Sequence, residues 1–351
     1  MAKFDSKSFN PEAFGKYVDR IPNVKKNELA KSGAIGANAQ ARAALANQTG
    51  SLYATVPYFG RISGGTSQNN DGSANINTEK TKTFTQGFVT ASRMDGWTEI
   101  SFSKSITAGV DFMDNVAAQI SDYKYEVKQA MLLAILEGVF DMSTKTKTVA
   151  DKAAKEFVEK HTYDITANTG EEAFVGPTTL NKAIQRACGD NKNIFKLVIC
   201  HSEVATNLEN LKLIKYMTYT DKDGIERDLT LGTWNGRLVL VDDSMPAKEV
   251  EGVMQYTTYI LGKDSIILDD IGDAHPYEMH RDPAVHGGQD TLYVRDRYIC
   301  GVDGISFTNS GITASASNTD LANGENWHII NDETDAIPHK AIAIARIISK
   351  G

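Results

Sequence analysis

The sequence predicts an α+β fold with about two domains. One amphipathic segment, 110–140, is long enough for a helix of roughly 45 Å at 1.5 Å per residue. The strand-like segments are joined by hairpins and interleaved with helices, without a strict strand–helix–strand alternation. The chain has 351 residues, of which 41% are hydrophobic and 23% charged, so it can bury a substantial core.

The composition excludes several classes of protein. A formal net charge of -8 disfavours tight nucleic-acid binding through counterion release. The three cysteines, Cys188, Cys200 and Cys300, lack the paired spacing of a disulfide framework or a zinc site. No run of about 18 apolar residues predicts a membrane span, and the charged N-terminus lacks the apolar core of a signal peptide.

The first 49 residues are polar, interrupted by Pro11, Pro22 and Gly33, and become alanine-rich after residue 36. Such a segment has little apolar surface to bury by itself. The sequence therefore predicts an arm that needs a partner surface.

Two strand-like segments, 52–62 and 81–102, flank a polar stretch, 63–75, that has no aliphatic side chain larger than alanine. This pattern predicts a long two-stranded hairpin with a mobile tip. A lone hairpin is marginally stable in water, so we expect it to rest on a neighbouring molecule. A disordered surface loop is the alternative interpretation.

The segment 110–140 has apolar residues at three- and four-residue steps, which places them on one helical face. Leu132, Leu133 and Leu136 widen this face beyond the seam of a coiled coil, so packing against a sheet is favoured over a coiled coil. A shorter helix is predicted over 149–161.

A new unit begins near Gly176. Its predicted order is a helix over 179–188, a strand over 194–200, a helix over 202–214 capped by Ser202, a hairpin turning at Asp223–Gly224, and a strand over 237–241. Further strands are predicted over 256–261, 275–280, 291–299 and 341–348.

The sequence lacks the signatures of common catalytic sites. It has neither a phosphate-binding G-x-x-x-x-G-K-[ST] loop nor a G-x-S-x-G nucleophile elbow. His275, His280 and His286 have no metal-ligand spacing, and in an extended segment His275 and His280 would point to opposite faces. We therefore expect no enzyme activity, no cofactor and no metal, although a metal-dependent hydrolase using these histidines is an alternative.

Taken in order, these segments resemble the major capsid proteins of tailed bacteriophages, which have the Hong Kong 97-type fold. The resemblance is carried by a strand followed by a His-Ser pair and a helix at 197–204, and by a glycine turn, a strand and an Asp-Asp-x-x-Pro ending at 231–246. It is also carried by the strand 256–263 and by Asn326–Trp327 before a closing strand. The resemblance extends over nearly the whole chain as element order and degenerate motifs.

The resemblance implies a division of the chain into six segments. They are an N-terminal arm (1–54), an extended hairpin called the E-loop (55–105), a peripheral domain with a long spine helix (106–175), an axial domain (176–272), a hairpin that returns to the peripheral domain (273–310) and a C-terminal segment (311–351).

The resemblance also implies the function. The chain would self-assemble into hexamers and pentamers of an icosahedral shell that encloses double-stranded DNA without sequence-specific binding, in a virion assembled in the bacterial cytoplasm. The arm is too short to contain a full scaffolding domain, so a separate scaffolding protein and a portal are the expected partners. An encapsulin-type nanocompartment and a phage tail protein are the alternatives.

The expected contacts between subunits follow from this arrangement. The arm and hairpin would lie across a neighbour and cover the aromatic side chains of Phe59, Phe84, Phe88 and Trp97. Charged side chains of the same hairpin would set the register, namely those of Arg61, Lys80, Lys82, Arg93 and Glu99. Turns of the axial domain with Trp234, Asp242 and Asp243 are candidates for contacts around the capsomer centre.

Overall fold

The computed structural model describes residues 14, 32–46, 52–60, 68–70, 72, 75, 82–100, 112–142, 148–220, 226–309, 311–312, 315–332 and 334–351. For residues 112–118, 217–220 and 226–231 it describes the backbone alone. Arg61, Lys80, the Asp223–Gly224 turn and most of the hairpin tip lie outside the described residues.

The helices of this part of the chain are α1 (Ala39–Leu45), α2 (Phe112–Phe140), α3 (Val149–His161), α4 (Thr179–Cys188), α5 (Ser202–Asn210) and α6 (Asn318–Ala322). The strands are β1 (Ile35–Gly36), β2 (Tyr53–Phe59), β3 (Thr83–Ile100), β4 (Thr162–Asp164), β5 (Phe195–Cys200), β6 (Ile214–Thr220), β7 (Glu226–Trp234), β8 (Arg237–Val241), β9 (Ala247–Val250), β10 (Val253–Gly262), β11 (Ile266–Asp270), β12 (Tyr277–Asp282), β13 (Gln289–Val302), β14 (Ile305–Phe307), β15 (Trp327–Ile329) and β16 (Ile344–Ser349).

The first sheet has eight strands in the order β1-β11-β13-β14-β15, with β12 and β3 also paired to β13 and β2 paired to β3. The antiparallel pair of β2 and β3 confirms the predicted hairpin. However, β3 also pairs with β13 over twelve residues, from Gln289 opposite Ile100 to Cys300 opposite Val89. The β2–β3 ladder covers only Thr83–Val89 of β3, so the predicted hairpin is shorter than expected: beyond Val89, up to Ile100, the strand pairs with β13 instead of β2.

The second sheet also has eight strands, in the order β4-β16-β10-β5-β8-β7-β6, with β9 paired to β10. It contains β4 and β16, which lie outside the segment 176–272, whereas β11 within that segment belongs to the first sheet. The sheet thus takes its two extra strands from sequence-distant segments, which hydrophobic pattern alone does not reveal.

The last four residues of β5, Leu197–Cys200, are all apolar and buried. Leu197 and Ile199 belong to the core cluster that contains α2, whereas Val198 and Cys200 belong to a second cluster with α4 and α5. Successive side chains of a strand point to opposite faces, so both faces of the sheet are covered. Because the first cluster includes residues of both sheets, the two sheets share one core.

Helix α2 packs against the sheets, as its wide apolar face predicted. Its residues Ile135 and Leu136 are fully buried in the same cluster as Tyr298 and Cys300 of β13. Its described residues fit the predicted span, and α3 and α4 have the predicted ends. The cap of α5 was predicted wrongly: Ser202 is its first helical residue, and the side chain of His201 accepts the hydrogen bond from the backbone N–H of Glu203.

The described part of the N-terminal arm packs on its own subunit, contrary to expectation. Strand β1 pairs with β11, and Leu45 of α1 is 1% exposed in a cluster with Phe88. Asn38 caps α1 by accepting from the N–H groups of Gln40 and Ala41. Earlier in the arm, Phe14 packs edge-on against a ring of the same chain. The small, fully buried side chain of Ala41 permits this close packing of α1 on its own subunit.

Candidate inter-subunit surfaces

The β2–β3 ladder ends at the pair of Phe59 and Thr83, and this end of the hairpin carries an exposed apolar side chain. Phe59 is 74% exposed, directly before the N–H of Gly60 closes the ladder with the carbonyl of Lys82. The ammonium of Lys82 is hydrogen-bonded to the carboxylate of Asp335, so this side chain is tied to the C-terminal segment of its own subunit. Phe59 is therefore the one described aromatic residue of the predicted set that is free to contact a neighbour through most of its surface.

Phe84 and Phe88 have to be removed from the predicted contact set. Phe84 is 5% exposed and Phe88 is 0% exposed, so neither has surface left for a neighbouring subunit. A Cβ on Gly301 of β13 would lie 2.4 Å from the Phe88 ring, which shows how closely the strands enclose it. Both side chains stabilise the subunit itself.

Arg93 also makes its contacts within the subunit. Its guanidinium donates to the carbonyl of Ala316 at 2.9 Å and to the side-chain oxygen of Asn318 at 2.7 Å. These bonds hold the segment before α6 against β3. Glu99 is 5% exposed on β3, opposite Asp290, whose carboxylate accepts from Arg281 at 2.6 Å. The expected role of Glu99 in an intersubunit register was therefore wrong, because its side chain is buried. Arg93 is half-buried, and its expected role stays a prediction.

Trp97 lies under α2. Its ring meets Tyr123 edge-on with 5.5 Å between centroids, and the Tyr123 hydroxyl donates to Asp95 at 2.8 Å. The nearby ammonium of Lys124 donates to Asp296 at 2.7 Å and to the Tyr277 hydroxyl at 2.6 Å. Although burial favours the neutral amine, these oxygens hold the pKa of Lys124 above its usual value. Trp97 is half-buried, so only part of it is available to a neighbour.

The opposite face of β3, β13 and β12 presents an apolar patch that the sequence analysis did not predict. Met94 is 83% exposed and Tyr293 41% exposed, and the Tyr293 ring lies beside Gly96. Arg295 and Glu278 form an ion pair at the edge of this patch. We call Met94, Gly96 and Tyr293 the outer patch. Its signal in the sequence was the alternation of β3, which places Met94 opposite to Trp97 and on the outer side.

The three candidate contact residues of the axial domain also differ in burial. Trp234 is fully buried in the second core cluster, so its predicted contact at the capsomer centre was wrong. Asp242 is buried and caps a turn by accepting from the N–H of Ser244 at 2.9 Å. Asp243 is exposed, with a carboxylate oxygen 4.0 Å from Nε2 of His201. The sequence analysis missed three exposed apolar residues of the second sheet, namely Val241, Val253 and Met254.

The described residues show no assembled reactive site. Cys188, Cys200 and Cys300 are buried, and burial raises the pKa of their thiols to about 11, 12 and 12. Within the described ranges, no three histidine, cysteine or carboxylate side chains are grouped to hold a metal ion. No helix in that part of the chain is long and apolar enough to cross a membrane.

Two comparisons of the sequence found nothing: no protein-family profile and no curated protein matches it. The structural comparison places the chain among proteins with a viral capsid fold. It superposes on the capsid protein of Ralstonia phage GP4 with a TM-score of 0.51 and 10% identity, over 86% of this chain and 84% of that one. The capsid protein of cyanophage Pam1 gives a TM-score of 0.51 and 10% identity, over 88% and 87% of the two chains.

The chain therefore has the α+β Hong Kong 97-like capsid fold that its sequence predicted. The resemblance to phage capsid proteins is confirmed by three-dimensional structure even though sequence identity is very low.

Proposed function

We propose that this chain is the structural shell subunit of a bacteriophage capsid. The observation that carries the proposal is the match to two phage capsid proteins over more than four-fifths of each chain. A fold alone does not define a function. The proposal therefore also rests on the absence of an assembled reactive site in the described residues and on the distribution of exposed apolar surface.

That apolar surface is divided among separate regions of the subunit. Phe59 lies at the hairpin end, the outer patch on the β3–β13–β12 face, and Val253 and Met254 at the start of β10 in the second sheet. Different patches that pair with each other give heterologous contacts, which close into rings when the rotation permits. Hexamers and pentamers built in this way gain stability from many modest contacts. A single dominant patch would favour a simple dimer instead.

The net charge of -8 supports containment of DNA over tight binding. In this proposal the shell encloses double-stranded DNA in the virion after assembly in the host cytoplasm. A separate scaffolding protein and a portal are the proposed partners, and the subunit needs no cofactor.

Negative-stain electron microscopy of the purified chain, alone and mixed with its proposed scaffolding partner, tests this function. We expect closed, roughly spherical shells of uniform diameter. Rings or tubes in place of shells would instead support a tail protein. Dispersed small particles at every protein concentration, with and without the partner, would contradict a shell function.

A further inference from the structure

A groove of about 710 Å³ runs along one side of α2. Six residues of α2 form its floor at the helical steps i, i+3, i+4, i+7, i+8 and i+11, namely Glu126, Gln129, Ala130, Leu133, Ala134 and Glu137. At 1.5 Å per residue this stripe is roughly 16 Å long, or about three helical turns. Such a stripe is the surface on which a second helix packs.

The walls of the groove come from two distant parts of the chain. On one side are Asp242, Ser244 and Pro246, held to α2 by a hydrogen bond of 3.2 Å from Gln129 to the Ser244 hydroxyl. On the other side are residues 318, 319 and 322 of α6. The edge formed by Asp242, Ser244 and Pro246 is thus hydrogen-bonded to α2, and the other edge is formed by a helix that packs on α2.

The floor is apolar in the middle and acidic at both ends. Ala130 is exposed and Leu133 half-buried, and small alanine side chains allow another helix to approach closely. Glu126 and Glu137 are both exposed, one at each end of the stripe. Among the described residues, the lining includes these two acids and Asp242 but no lysine or arginine. This charge repels phosphate groups, so packaged DNA is a poor occupant.

We propose that this groove binds one basic, amphipathic helix of a second protein, with an apolar face on Ala130 and Leu133 and basic side chains near Glu126 and Glu137. The inference rests on the proposed function, since it describes how a partner would hold the shell subunit. Basic side chains about three turns apart complement the acidic ends of the stripe, and an apolar helix face complements its centre. The chain's own residues 15–31 are also basic, so they are the alternative occupant that the test has to exclude.

The test uses a fluorescein-labelled, 18-residue helical peptide of alanine, leucine and lysine. Its alanines and leucines form one apolar face, and two lysines eleven positions apart border that face, one for Glu126 and one for Glu137. Fluorescence anisotropy measures its binding to the purified full chain. We expect the double variant Glu126→Gln/Glu137→Gln to bind at least tenfold more weakly. The matched control Glu159→Gln/Glu203→Gln removes two exposed helix acids elsewhere and should bind like the wild type. Circular dichroism checks that both variants are folded.

Equal binding by the groove variant, or an equal loss in the control variant, would overturn the proposal. Tighter binding of a peptide with the sequence of residues 12–31 would overturn it in favour of the chain's own arm. Electron microscopy of the groove variant separates the shell function from the groove proposal. In the absence of a partner protein, we expect the variant to form the same particles as the wild type. Loss of particles formed by the wild-type chain alone would instead assign the groove to a second copy. If no wild-type shells form while the lysine peptide still binds, the shell function fails and the groove proposal stands.

Discussion

The imidazole rings of His161 and His339 share an N···N hydrogen bond of 3.1 Å between the end of α3 and the segment before β16. Nδ1 of His161 lies 2.5 Å from the carbonyl oxygen of Ile344. A carbonyl can only accept, so Nδ1 of His161 donates and its Nε2 accepts from His339. On the far side, Nε2 of His339 lies 3.6 Å from Glu156. A neutral His161 therefore forms hydrogen bonds with both the Ile344 carbonyl and the His339 ring.

This arrangement predicts a loss of stability in mild acid. Burial lowers the pKa of His161 from 6.5 to about 4 and also lowers that of His339. The unfolded chain binds these protons more readily, so stability is full above pH 6.5 and falls as the pH approaches 4. For His161 the loss is on the order of 3 kcal/mol, at about 1.4 kcal/mol per pKa unit.

Urea unfolding between pH 7.5 and 4 measures this loss. The variant His161→Gln should show a smaller decrease in the free energy of unfolding over this range than the wild type. His280→Gln, at an exposed position of β12, is the control and should retain the wild-type pH dependence. If the free energy of unfolding of His161→Gln decreases with falling pH as steeply as that of the wild type, groups other than His161 cause the acid sensitivity.

A second prediction concerns Lys124, which links α2 to the first sheet. Its substitution by methionine leaves the partly buried carboxylate of Asp296 without its nearest cation, which should cost about 1–3 kcal/mol, less than for a fully buried pair. The further substitution Asp296→Asn should recover part of that loss. Lys155→Met provides the control, because the Lys155–Glu159 pair is exposed and its removal should change stability by about 0.5 kcal/mol or less. Urea unfolding of all four proteins distinguishes these outcomes.

The comparison of sequence and structure separates local from long-range information. Helix α3 has its predicted ends, and its apolar period and the capping box of Thr148 with Asp151 are all contained in thirteen neighbouring residues and their cap. The pairing of β3 with β13 joins residues 189 to 211 positions apart, and no local pattern encodes it. That pairing is why the β2–β3 hairpin is shorter than predicted and forms part of a large sheet.

The same distinction between local and long-range information applies to the predicted contacts between subunits. An aromatic residue on a strand can face a neighbour or its own core, and the sequence alone does not distinguish the two. Phe59 and Phe84 lie on the same hairpin, yet only the latter is enclosed. Arg93 could not be assigned either, because its partners Ala316 and Asn318 are more than 220 residues away.

A third prediction tests the close approach of α2 to the C-terminal segment. A Cβ on Gly138 would lie 2.1 Å from the carbonyl oxygen of Leu321 and 2.7 Å from Nε1 of Trp327. These two atoms are themselves hydrogen-bonded at 2.7 Å. Gly138→Ala should therefore destabilise the fold by about 1–3 kcal/mol, despite the better helix propensity of alanine.

The control for this close approach is Gly176→Ala, because the nearest atom to its added Cβ is 4.0 Å away. Thermal unfolding followed by tryptophan fluorescence should show a clear decrease in Tm for Gly138→Ala and little change for Gly176→Ala. Equal Tm values for the two variants would mean that the C-terminal segment shifts to accommodate the methyl group at no cost.

The last prediction compares Phe59 with Phe84, since the same substitution should act on assembly at one position and on folding at the other. Phe59→Ser changes an exposed side chain and should leave the free energy of unfolding within about 0.5 kcal/mol of the wild type. It should nevertheless reduce the yield of shells, because the hairpin end loses its main apolar contact. Phe84→Ser should cost about 3–5 kcal/mol, as other large-to-small changes of a buried phenylalanine do. Light scattering during assembly and urea unfolding of the same preparations measure the two effects. Normal shell yield from Phe59→Ser would remove the hairpin end from the list of subunit contacts, whereas a large loss of stability would mean that Phe59 is packed within its own subunit.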